Sequence, residues 1–312
     1  MGKYCFGVDI GGTTIKMGLF TAEGELLDKW EIPTRRENGG EKVPQDIADA
    51  IAGKCAEKSI EKADITGVGI GVPGPVRNDG TVMKCANLGW GIFNVNEKMS
   101  ELTGLKCQAL NDANAAALGE LWRGSGKGFK NLVFITLGTG VGGGIVIDGK
   151  IIAGIHGGGG EIGHIVVNPK EDAVCGCGGH GHLEQYASAT GIVRLAKKGL
   201  ENKAVETILR GKEDGLTCKD IFDAAKSGDA FANELVDTMC SYLALALSGV
   251  AATCDPEAYV IGGGVSKAGE IITDTVKKHF YSNNMNVLTQ SEFRLASLGN
   301  DAGIYGAAYM TI

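Results

Sequence analysis

The chain has 312 residues, is 44% hydrophobic and carries a net charge of −7, so it can form one large domain or two ordinary ones with real cores. No apolar run reaches the roughly 18 residues that a membrane span needs, and the N-terminus has no signal-peptide pattern. The acidic charge argues against broad nucleic-acid binding, which depends on clustered Lys and Arg. Nine cysteines, an odd number without paired spacing, predict a reducing, cytoplasmic compartment.

A glycine-threonine hairpin opens the chain. Apolar runs at 4–10 and 15–20 flank a tip made of Gly11, Gly12, Thr13 and Thr14, and a third strand is expected near 25–32. Backbone N–H groups and hydroxyls at such a tip can hold phosphate oxygens, although an ordinary tight turn has the same pattern. Asp9 could orient Mg²⁺ or its waters, and Lys16 is assigned to the same nucleotide site.

The next segments alternate between helix and strand. Residues 46–62 have helical spacing, and 65–76 read as a buried strand that ends in a Pro-Gly loop. The loop 87–94, with an exposed tryptophan, is expected to form a pocket wall. A short strand at 107–110 then meets a helix at 111–122, where Asp112 could be only a helix cap.

Residues 132–147 repeat the opening hairpin. The alignment places Thr136 under Asp9 and a second tip at Gly138, Thr139 and Gly140, which predicts a duplicated phosphate-binding unit. The glycines also fit a dinucleotide-binding pattern. We reject that interpretation because a second strand follows, where the dinucleotide fold needs a helix.

The C-terminal half is predicted to be helical at 190–210, 218–227 and 229–252. Residues 258–270 read as a buried strand, a triple-glycine turn and a helix. Gly262, Gly263 and Gly264 would let the backbone pack against a flat ligand, and the helix N-terminus favours anions. A helix rich in small residues is expected at 303–312.

Residues 156–184 hold four of the five histidines and two of the nine cysteines. Thiolates and imidazoles at close spacing suit tetrahedral zinc, and we assign His164, Cys175, Cys177 and His182 as ligands. His180 could replace His182, and a flexible loop with chance cysteines is the alternative to a metal site. A disulfide would not suit a cytosolic chain.

This segment resembles the zinc signature of the ROK (repressor, ORF, kinase) family, a histidine followed by Cys-x-Cys-Gly-x-x-Gly-Cys-x-Glu. His182 stands where the family usually has its third cysteine, and a site with two histidines and two cysteines is therefore expected. The residues that match the signature are Glu161, His164, Cys175, Gly176, Cys177, Gly178, Gly181 and Glu184.

The resemblance implies an α/β chain with the two-lobed fold of actin, hexokinase and the heat-shock ATPases, in which ribonuclease H-like lobes are duplicated. The smaller lobe is expected at 1–112 plus 302–312. The larger lobe, with the zinc site, is expected at 113–301. A homodimer is the family expectation.

The resemblance also implies a sugar kinase that transfers the γ-phosphoryl group of ATP, with Mg²⁺, to the 6-hydroxyl of glucose. Asp112 would be the catalytic base and zinc would be structural. The implied sugar ligands are Asn87, Asn111, Asp112, Glu161, His164 and Glu184. ADP and polyphosphate stay open as donors.

Three other functions are compatible with the resemblance. N-acetylmannosamine kinase and fructokinase activities are the alternatives within the kinases of the family. A sugar-responsive repressor is the alternative from another class, and it is disfavoured because the chain begins at the first hairpin, without a helix-turn-helix segment. No nucleic-acid or membrane partner is expected.

Overall fold

The computed structural model describes residues 2–83, Cys85 and residues 87–312. The chain divides into two compact units. Unit 1 consists of Met1–Phe134, Gly144–Gly160 and Ser297–Ile312, and unit 2 consists of Ile135–Gly143 and Glu161–Ala296. These limits differ from the lobes expected at 1–112 plus 302–312 and at 113–301, and those lobe boundaries stay a prediction.

The chain forms both strands and helices. The strands are β1 (Tyr4–Ile10), β2 (Thr14–Thr21), β3 (Leu26–Pro33), β4 (Ile65–Val72), β5 (Thr81–Val82), β6 (Phe93–Asn94), β7 (Cys107–Asn111), β8 (Leu132–Leu137), β9 (Val141–Ile147), β10 (Lys150–Ile151), β11 (Ala258–Gly262) and β12 (Glu292–Leu295). The helices are α1 (Glu37–Gly40), α2 (Val43–Lys58), α3 (Val95–Thr103), α4 (Asp112–Arg123), α5 (Glu184–Ala187), α6 (Ala189–Leu200), α7 (Cys218–Lys226), α8 (Ala230–Cys254), α9 (Glu270–Asn283) and α10 (Ala302–Tyr309).

The two five-stranded sheets share one strand order. The first runs β3-β2-β1-β4-β7 and the second β10-β9-β8-β11-β12. In the first, β1, β2 and β3 pair antiparallel, whereas β4 lies parallel to β1 and β7 parallel to β4. Both sheets therefore have the order 3-2-1-4-5, counted within each sheet. This repeated order agrees with the predicted duplication of the hairpin and with the predicted α/β class.

Both faces of β1 are covered, which explains its almost unbroken run of apolar residues. Phe6 and Val8 belong to a core shared with Ile47 of α2. Cys5 belongs to a second cluster that includes Phe20 and Ile304 of α10. The central strand that leads into the first glycine tip is therefore held from two sides.

Helices α4 and α10 pack backbone to backbone in unit 1. A Cβ on Gly306 would lie 1.7 Å from the carbonyl oxygen of Ala115, and a Cβ on Gly119 would lie 2.1 Å from that of Ala302. Only glycine fits at these two positions. The small residues of the C-terminal helix thus bring it onto the helix that begins at Asp112.

Helix α8 is the long core helix of unit 2. Of the described residues, only those of α8 form a helix that by length and composition could cross a membrane. In that stretch, 56% of the residues are buried inside the protein. The core helix of a soluble protein passes the same test, so this feature is weak evidence of a membrane span.

Two local predictions from the sequence are wrong. The helix predicted at 190–210 ends at Leu200. The tryptophan expected to be exposed, Trp90, is only 6% accessible, because its indole N–H donates to the Gly40 carbonyl 3.1 Å away and its ring packs edge-on against Phe93. The loop still lines an open pocket in unit 1, where Ile92 is exposed.

Candidate active site and metal centre

The first hairpin tip has a fixed backbone. The N–H of Gly11 donates to the carbonyl of Thr14, and Thr34 uses its hydroxyl and its N–H to bind the carbonyls of Gly11 and Thr13. A Cβ on Gly12 would meet nothing within 4 Å. Gly12 is therefore not required by packing inside the chain, and its openness is compatible with close approach of a ligand.

Asp9 and Lys16 face each other across the β1–β2 pair. Burial raises the pKa of Asp9 above its ordinary value, and the charge of Lys16 partly opposes that rise. Gly303 lies directly against the carboxyl group, since a Cβ there would be 2.7 Å from its Cγ and Oδ2. Asp9 is thus a confined carboxyl group that feels the positive charge of Lys16.

The second tip, in unit 2, is docked onto the start of α6. The carbonyl of Gly138 accepts from the N–H of Ala189 at 2.8 Å, and the carbonyl of Thr139 accepts from the hydroxyl of Thr190 at 2.7 Å. Gly138 also donates its N–H to Gly140 at 2.9 Å. Thr139 is exposed and Thr136 half-buried, so the tip presents a hydroxyl from a rigid backbone.

Glu184 uses both carboxylate oxygens inside unit 2. Its Oε2 accepts from the N–H of Val141 at 3.1 Å, and its Oε1 lies 3.7 Å from the Cys175 sulfur. A Cβ on Gly140 would lie 2.0 Å from Oε2. The carboxylate that the sequence assigned to sugar binding therefore also connects the second tip to the cysteine loop.

The triple-glycine turn follows β11. Gly263 has a φ of 85°, and a Cβ there would lie 2.4 Å from the carbonyl oxygen of Leu137. Its need for glycine thus comes from contact with the neighbouring strand, whereas a Cβ on Gly264 would meet nothing within 4 Å. A short 3₁₀ helix at Val265–Ala268 lies between the turn, which includes Gly262, and α9. The sequence had predicted that a helix follows the turn without such an intermediate.

Asn111 and Asp112 stand at the junction of β7 and α4 in unit 1. Asn111 is the N-cap, because its side-chain oxygen accepts from the N–H groups of Ala113 and Asn114 and its amide donates to the carbonyl of Gly74. Asp112 is the first helical residue, and its Oδ1 accepts from Ala113 N–H at 2.8 Å. The capping function that the sequence allowed for Asp112 is thus performed by Asn111.

Asp112 is well placed for an ionised carboxylate, because the positive end of the α4 dipole favours negative charge there. Asn87, the other predicted sugar ligand on unit 1, lies exposed in the turn that follows Cys85. Cys85 itself is buried and lies 2.9 Å from the carbonyl of Pro73.

Four side chains of the types that bind metal ions are gathered in one group in unit 2. The ligand atoms of His164, Cys175, Cys177 and His182 all lie within 4.8 Å of one another. The Cys177 sulfur is 3.2 Å from Nδ1 of His182, and the two imidazole rings lie 5.3 Å apart. This is the set of two histidines and two cysteines assigned from the sequence, and His180 is not a member of it.

The two ring nitrogens of His164 have different surroundings. Nε2 lies 3.9 Å from the carboxylate of Glu161. Nδ1 is buried and makes no hydrogen bond within the described part of the chain. A buried ring nitrogen without a partner is costly unless something else binds it.

A glycine-rich loop shapes this group. The N–H of Cys175 donates to Gly179 at 2.7 Å, and the N–H of Gly178 donates back to Cys175 at 2.8 Å. Gly181 has a φ of 67°, and a Cβ there would lie 1.9 Å from the carbonyl of Asn168. The loop therefore folds back on itself and brings the two cysteines towards the histidines.

A polar cluster, which we call the Glu171 clamp, holds this loop to α6. Glu171 accepts from the hydroxyl of Tyr186 at 2.6 Å and pairs with Arg194 at 3.0 Å, while Asn168 donates to the same hydroxyl. The hydrogen bonds that Glu171 accepts from Tyr186, from the Ala173 N–H and from Arg194, in that order, lower its pKa to about 2. Burial and the Glu171 charge raise the pKa of Tyr186 to about 12.

Sequence reasoning missed three supporting features. The Glu171 clamp, Thr34 and the buried carboxylate of Glu120 act through partners that lie 15, 23 and 178 residues away in the chain. No local pattern marks such residues. The one sequence feature that could have pointed to Glu120 is the group of glycines at 119, 124 and 126, where the structure leaves no room for a Cβ.

Comparison with known proteins supports this interpretation of the chain. A glucokinase from Halalkalibacterium halodurans is 47% identical over 312 residues, which cover 99% of this chain and 94% of that protein. A ROK family glucokinase from Streptomyces griseus, solved with glucose and AMPPNP, is 36% identical with a TM-score of 0.75 and 98% coverage of both chains. A ROK hexokinase from Thermus thermophilus is 30% identical with a TM-score of 0.81, over 98% of this chain and 96% of that one.

These structural likenesses extend over almost the whole chain and confirm the predicted two-lobed fold of the hexokinase type. The family comparison agrees, since the sequence pattern of the ROK family matches residues 5–312. The chain belongs to the ROK family.

Proposed function

We propose that this chain is a glucokinase, which transfers the γ-phosphoryl group of ATP to the 6-hydroxyl of glucose. The observation that carries the proposal is its 47% identity, over 99% of the chain, to a glucokinase. The complex of a relative with glucose and AMPPNP supports the same pair of substrates. The chain is an ATP-dependent hexose kinase.

Asp112 is the proposed general base. Its carboxylate at the start of α4 would accept the proton of the sugar hydroxyl as that oxygen attacks phosphorus. The capping by Asn111 supports this role, because it satisfies the helix N–H groups and fixes the backbone at the base. A positioned base acts best when its carboxylate is held in one orientation.

The glycine tips are the proposed phosphate sites. Their N–H groups and hydroxyls would stabilise the charge that develops on the phosphates, and Lys16 would add a cation. Asp9 would orient the Mg²⁺ that accompanies ATP. The residues proposed for the nucleotide are Asp9, Gly11, Gly12, Thr13, Thr14, Lys16, Thr136, Gly138, Thr139, Gly140, Gly262, Gly263 and Gly264.

Glucose offers only hydroxyl groups, so carboxylates, an amide and an imidazole can recognise it by charge-assisted hydrogen bonds. The proposed sugar ligands are Asn87, Asn111, Asp112, Glu161, His164 and Glu184. The hydrogen bond from the Val141 N–H holds the Glu184 carboxylate in one orientation. Its side chain therefore loses less conformational entropy when a sugar binds.

The four-residue group of unit 2 fits zinc. Two sulfurs and two imidazoles are the usual donors for this ion, and Nδ1 of His164 is a buried nitrogen that a metal could bind. Zinc would order the loop and fix the tautomer of His164. Four protein ligands leave no open position for catalysis, so the chemistry falls to Asp112 and the phosphate sites.

The other expectations from the family stay part of this proposal. The protein acts in the cytoplasm, as a homodimer, with ATP as the phosphoryl donor, while ADP and polyphosphate stay open as other donors. N-acetylmannosamine kinase is the second candidate function, because an N-acetylmannosamine kinase from Shigella boydii is 33% identical over 306 residues, which cover 97% of this chain and 96% of that protein.

A coupled assay tests the proposal. Purified protein is given ATP with glucose, mannose, fructose, N-acetylglucosamine or N-acetylmannosamine, and kcat/KM is measured for each sugar. Glucose should give the highest value. A higher value for N-acetylmannosamine would replace the proposed sugar, and no turnover with any sugar would reject the kinase function.

A further inference from the structure

Glu120 is a fully buried carboxylate in the last turn of α4. Its Oε1 accepts from the N–H groups of Leu298 at 2.8 Å and Ser297 at 3.1 Å, and its Oε2 accepts from the N–H of Ser125 at 2.8 Å. Three backbone groups from two separate segments of unit 1 thus converge on one side chain. The chain enters unit 1 at Ser297, so Glu120 binds the first residues of that return.

The carboxylate of Glu120 fills the space beside Gly124. A Cβ on Gly124 would lie 1.9 Å from Oε2, so any side chain at that position would clash with the carboxylate. A buried charge is costly unless it is hydrogen-bonded. Its contacts with backbone N–H groups are of the strong, charge-assisted kind, which makes the attachment of residues 297–298 to α4 firm.

The attached segment runs directly to the first phosphate tip. Two residues after Leu298, the carbonyl of Asn300 accepts from the ammonium group of Lys16 at 3.0 Å. Lys16 lies on β2, beyond Gly11, Gly12 and Thr13. Glu120 therefore connects to the proposed phosphate cation through a short stretch of backbone.

The segment has a second side-chain attachment, but it is weaker. Lys29 pairs with Asp301 at 2.7 Å, with side chains that are 44% and 30% exposed. Ion pairs this exposed contribute little, because solvent screens them and both side chains lose freedom. The buried attachment by Glu120 is the one able to fix where Asn300 lies.

We infer that Glu120 is a positioning residue for the nucleotide: it holds residues 297–300 so that the Asn300 carbonyl keeps Lys16 directed at the phosphates. The inference rests on the proposed role of Lys16 in ATP binding. Because Glu120 acts through Lys16 and not on the sugar ligands, its loss should affect ATP more than glucose.

The test is Glu120→Gln, assayed with ATP and glucose varied separately. The amide has the same size as the carboxylate, but its NH₂ group replaces one of the two acceptor oxygens. That NH₂ group would face backbone N–H groups, so the hydrogen bonds to one of the two oxygens are lost. The KM for ATP should rise about tenfold, as expected when a charged hydrogen bond is lost, while the KM for glucose stays within about twofold. Equal rises in both values would indicate a purely structural role and overturn the inference.

Lys29→Ala is the matched control, since it removes the exposed attachment of the same segment. It should leave the KM for ATP within about twofold of the parent value. Glu120→Asp, which keeps the charge, covers the case in which Glu120→Gln does not fold. It should raise the KM for ATP in the same direction, and a lower thermal stability with unchanged KM would contradict the inference.

A double-mutant cycle with Lys16→Ala separates this inference from the proposed function. If Glu120 acts through Lys16, then adding Glu120→Gln to Lys16→Ala should change the KM for ATP by less than about twofold. An unchanged KM in Lys16→Ala alone would contradict the proposed phosphate site. A raised KM in Lys16→Ala with an independent, multiplicative effect of Glu120→Gln would overturn the inference alone.

Discussion

Glu184 occupies the space that a side chain at Gly140 would need. A Cβ at Gly140 would lie 2.0 Å from Oε2 of Glu184, the oxygen that accepts from Val141 N–H at 3.1 Å. A proposed phosphate tip and a proposed sugar ligand are therefore in direct contact within unit 2. Their geometries cannot change independently.

Gly140→Ala should therefore impair sugar use through Glu184. The new methyl group must displace the carboxylate and break its bond to Val141, and such overpacking costs about 1–3 kcal/mol. We expect kcat/KM for glucose to fall at least about tenfold, with a lower midpoint of thermal unfolding. Initial rates measure kcat/KM, and circular dichroism measures the unfolding midpoint.

Gly138→Ala is the stability control for Gly140→Ala. It lies in the same tip, but its Cβ would meet nothing within 4 Å. Its unfolding midpoint should stay at the parent value. If Gly140→Ala unfolds at the same temperature as Gly138→Ala and the parent, and keeps the parent kcat/KM for glucose, then Glu184 is not held as described.

Asp112→Asn should keep the fold and the affinity for glucose while lowering kcat about 10²–10⁴-fold, the usual contribution of a general base. The reason is that the amide can still accept a hydrogen bond from Ala113 N–H but cannot take a proton. Turnover is measured at saturating ATP and glucose, and glucose binding by calorimetry. A loss of less than tenfold would mean that the base is elsewhere.

Asp229→Ala is the matched control for Asp112→Asn. Asp229 is an acidic residue at the start of a helix of unit 2, where its side chain accepts from Ala232 N–H. Its removal should cost about 1 kcal/mol of stability, as loss of an N-cap does, with kcat unchanged. Comparison of the two variants separates damage to a helix start from loss of the base.

Local patterns in the sequence were sufficient for the strands of both hairpins. The segment 4–10 coincides with β1, and 15–20 lies inside β2, because short apolar runs and glycine turns are encoded within a few residues. The grouping of His164, Cys175, Cys177 and His182 was also predicted, since these residues lie within 19 residues of one another in the chain.

Features that depend on distant partners were not predictable. Trp90 is buried because its indole reaches Gly40, 50 residues earlier. The attachment of Ser297 to Glu120 spans 177 residues. Gly263 needs its glycine because of Leu137. In each case the sequence shows the residue but not the neighbour that gives it a function.

Glu171→Gln should destabilise unit 2 in a pH-dependent way. The folded pKa of Glu171, about 2, lies below the ordinary value of about 4.3. Its contribution is therefore complete above about pH 4.5 and is lost as the pH falls towards 2. We expect the variant to lose about 1–3 kcal/mol in the free energy of unfolding at pH 7, and this difference should shrink below about pH 4.5.

Urea unfolding at pH 7, 5 and 3.5 measures the loss in Glu171→Gln. Glu57→Gln is the control, because Glu57 belongs to an ion pair at the surface with a side chain that is 54% exposed. Its stability should follow the parent at every pH. A difference between parent and Glu171→Gln that does not depend on pH would mean that packing, not the charge of Glu171, supports the loop.

The metal centre gives the last prediction. Protein purified without chelator should contain about one zinc per chain, bound by His164, Cys175, Cys177 and His182. Zinc sites can supply roughly 10 kcal/mol or more of ordering free energy in small peptides, but here the metal would order one loop. Its removal should therefore loosen that loop without unfolding either unit, which hydrogen exchange can follow.

Loss of zinc should raise the KM for glucose and lower kcat together, because His164 lies 3.9 Å from Glu161, and Cys175 lies 3.7 Å from Glu184. The KM for ATP should change much less. His182→Ala should lower zinc affinity at least about tenfold and impair activity, whereas His182→Cys restores the ligand usual in the family and should keep both. His180→Ala is the control and should retain the metal, since His180 is outside the group. Absence of zinc from the purified parent protein, or equal losses in His180→Ala and His182→Ala, would contradict this ligand set.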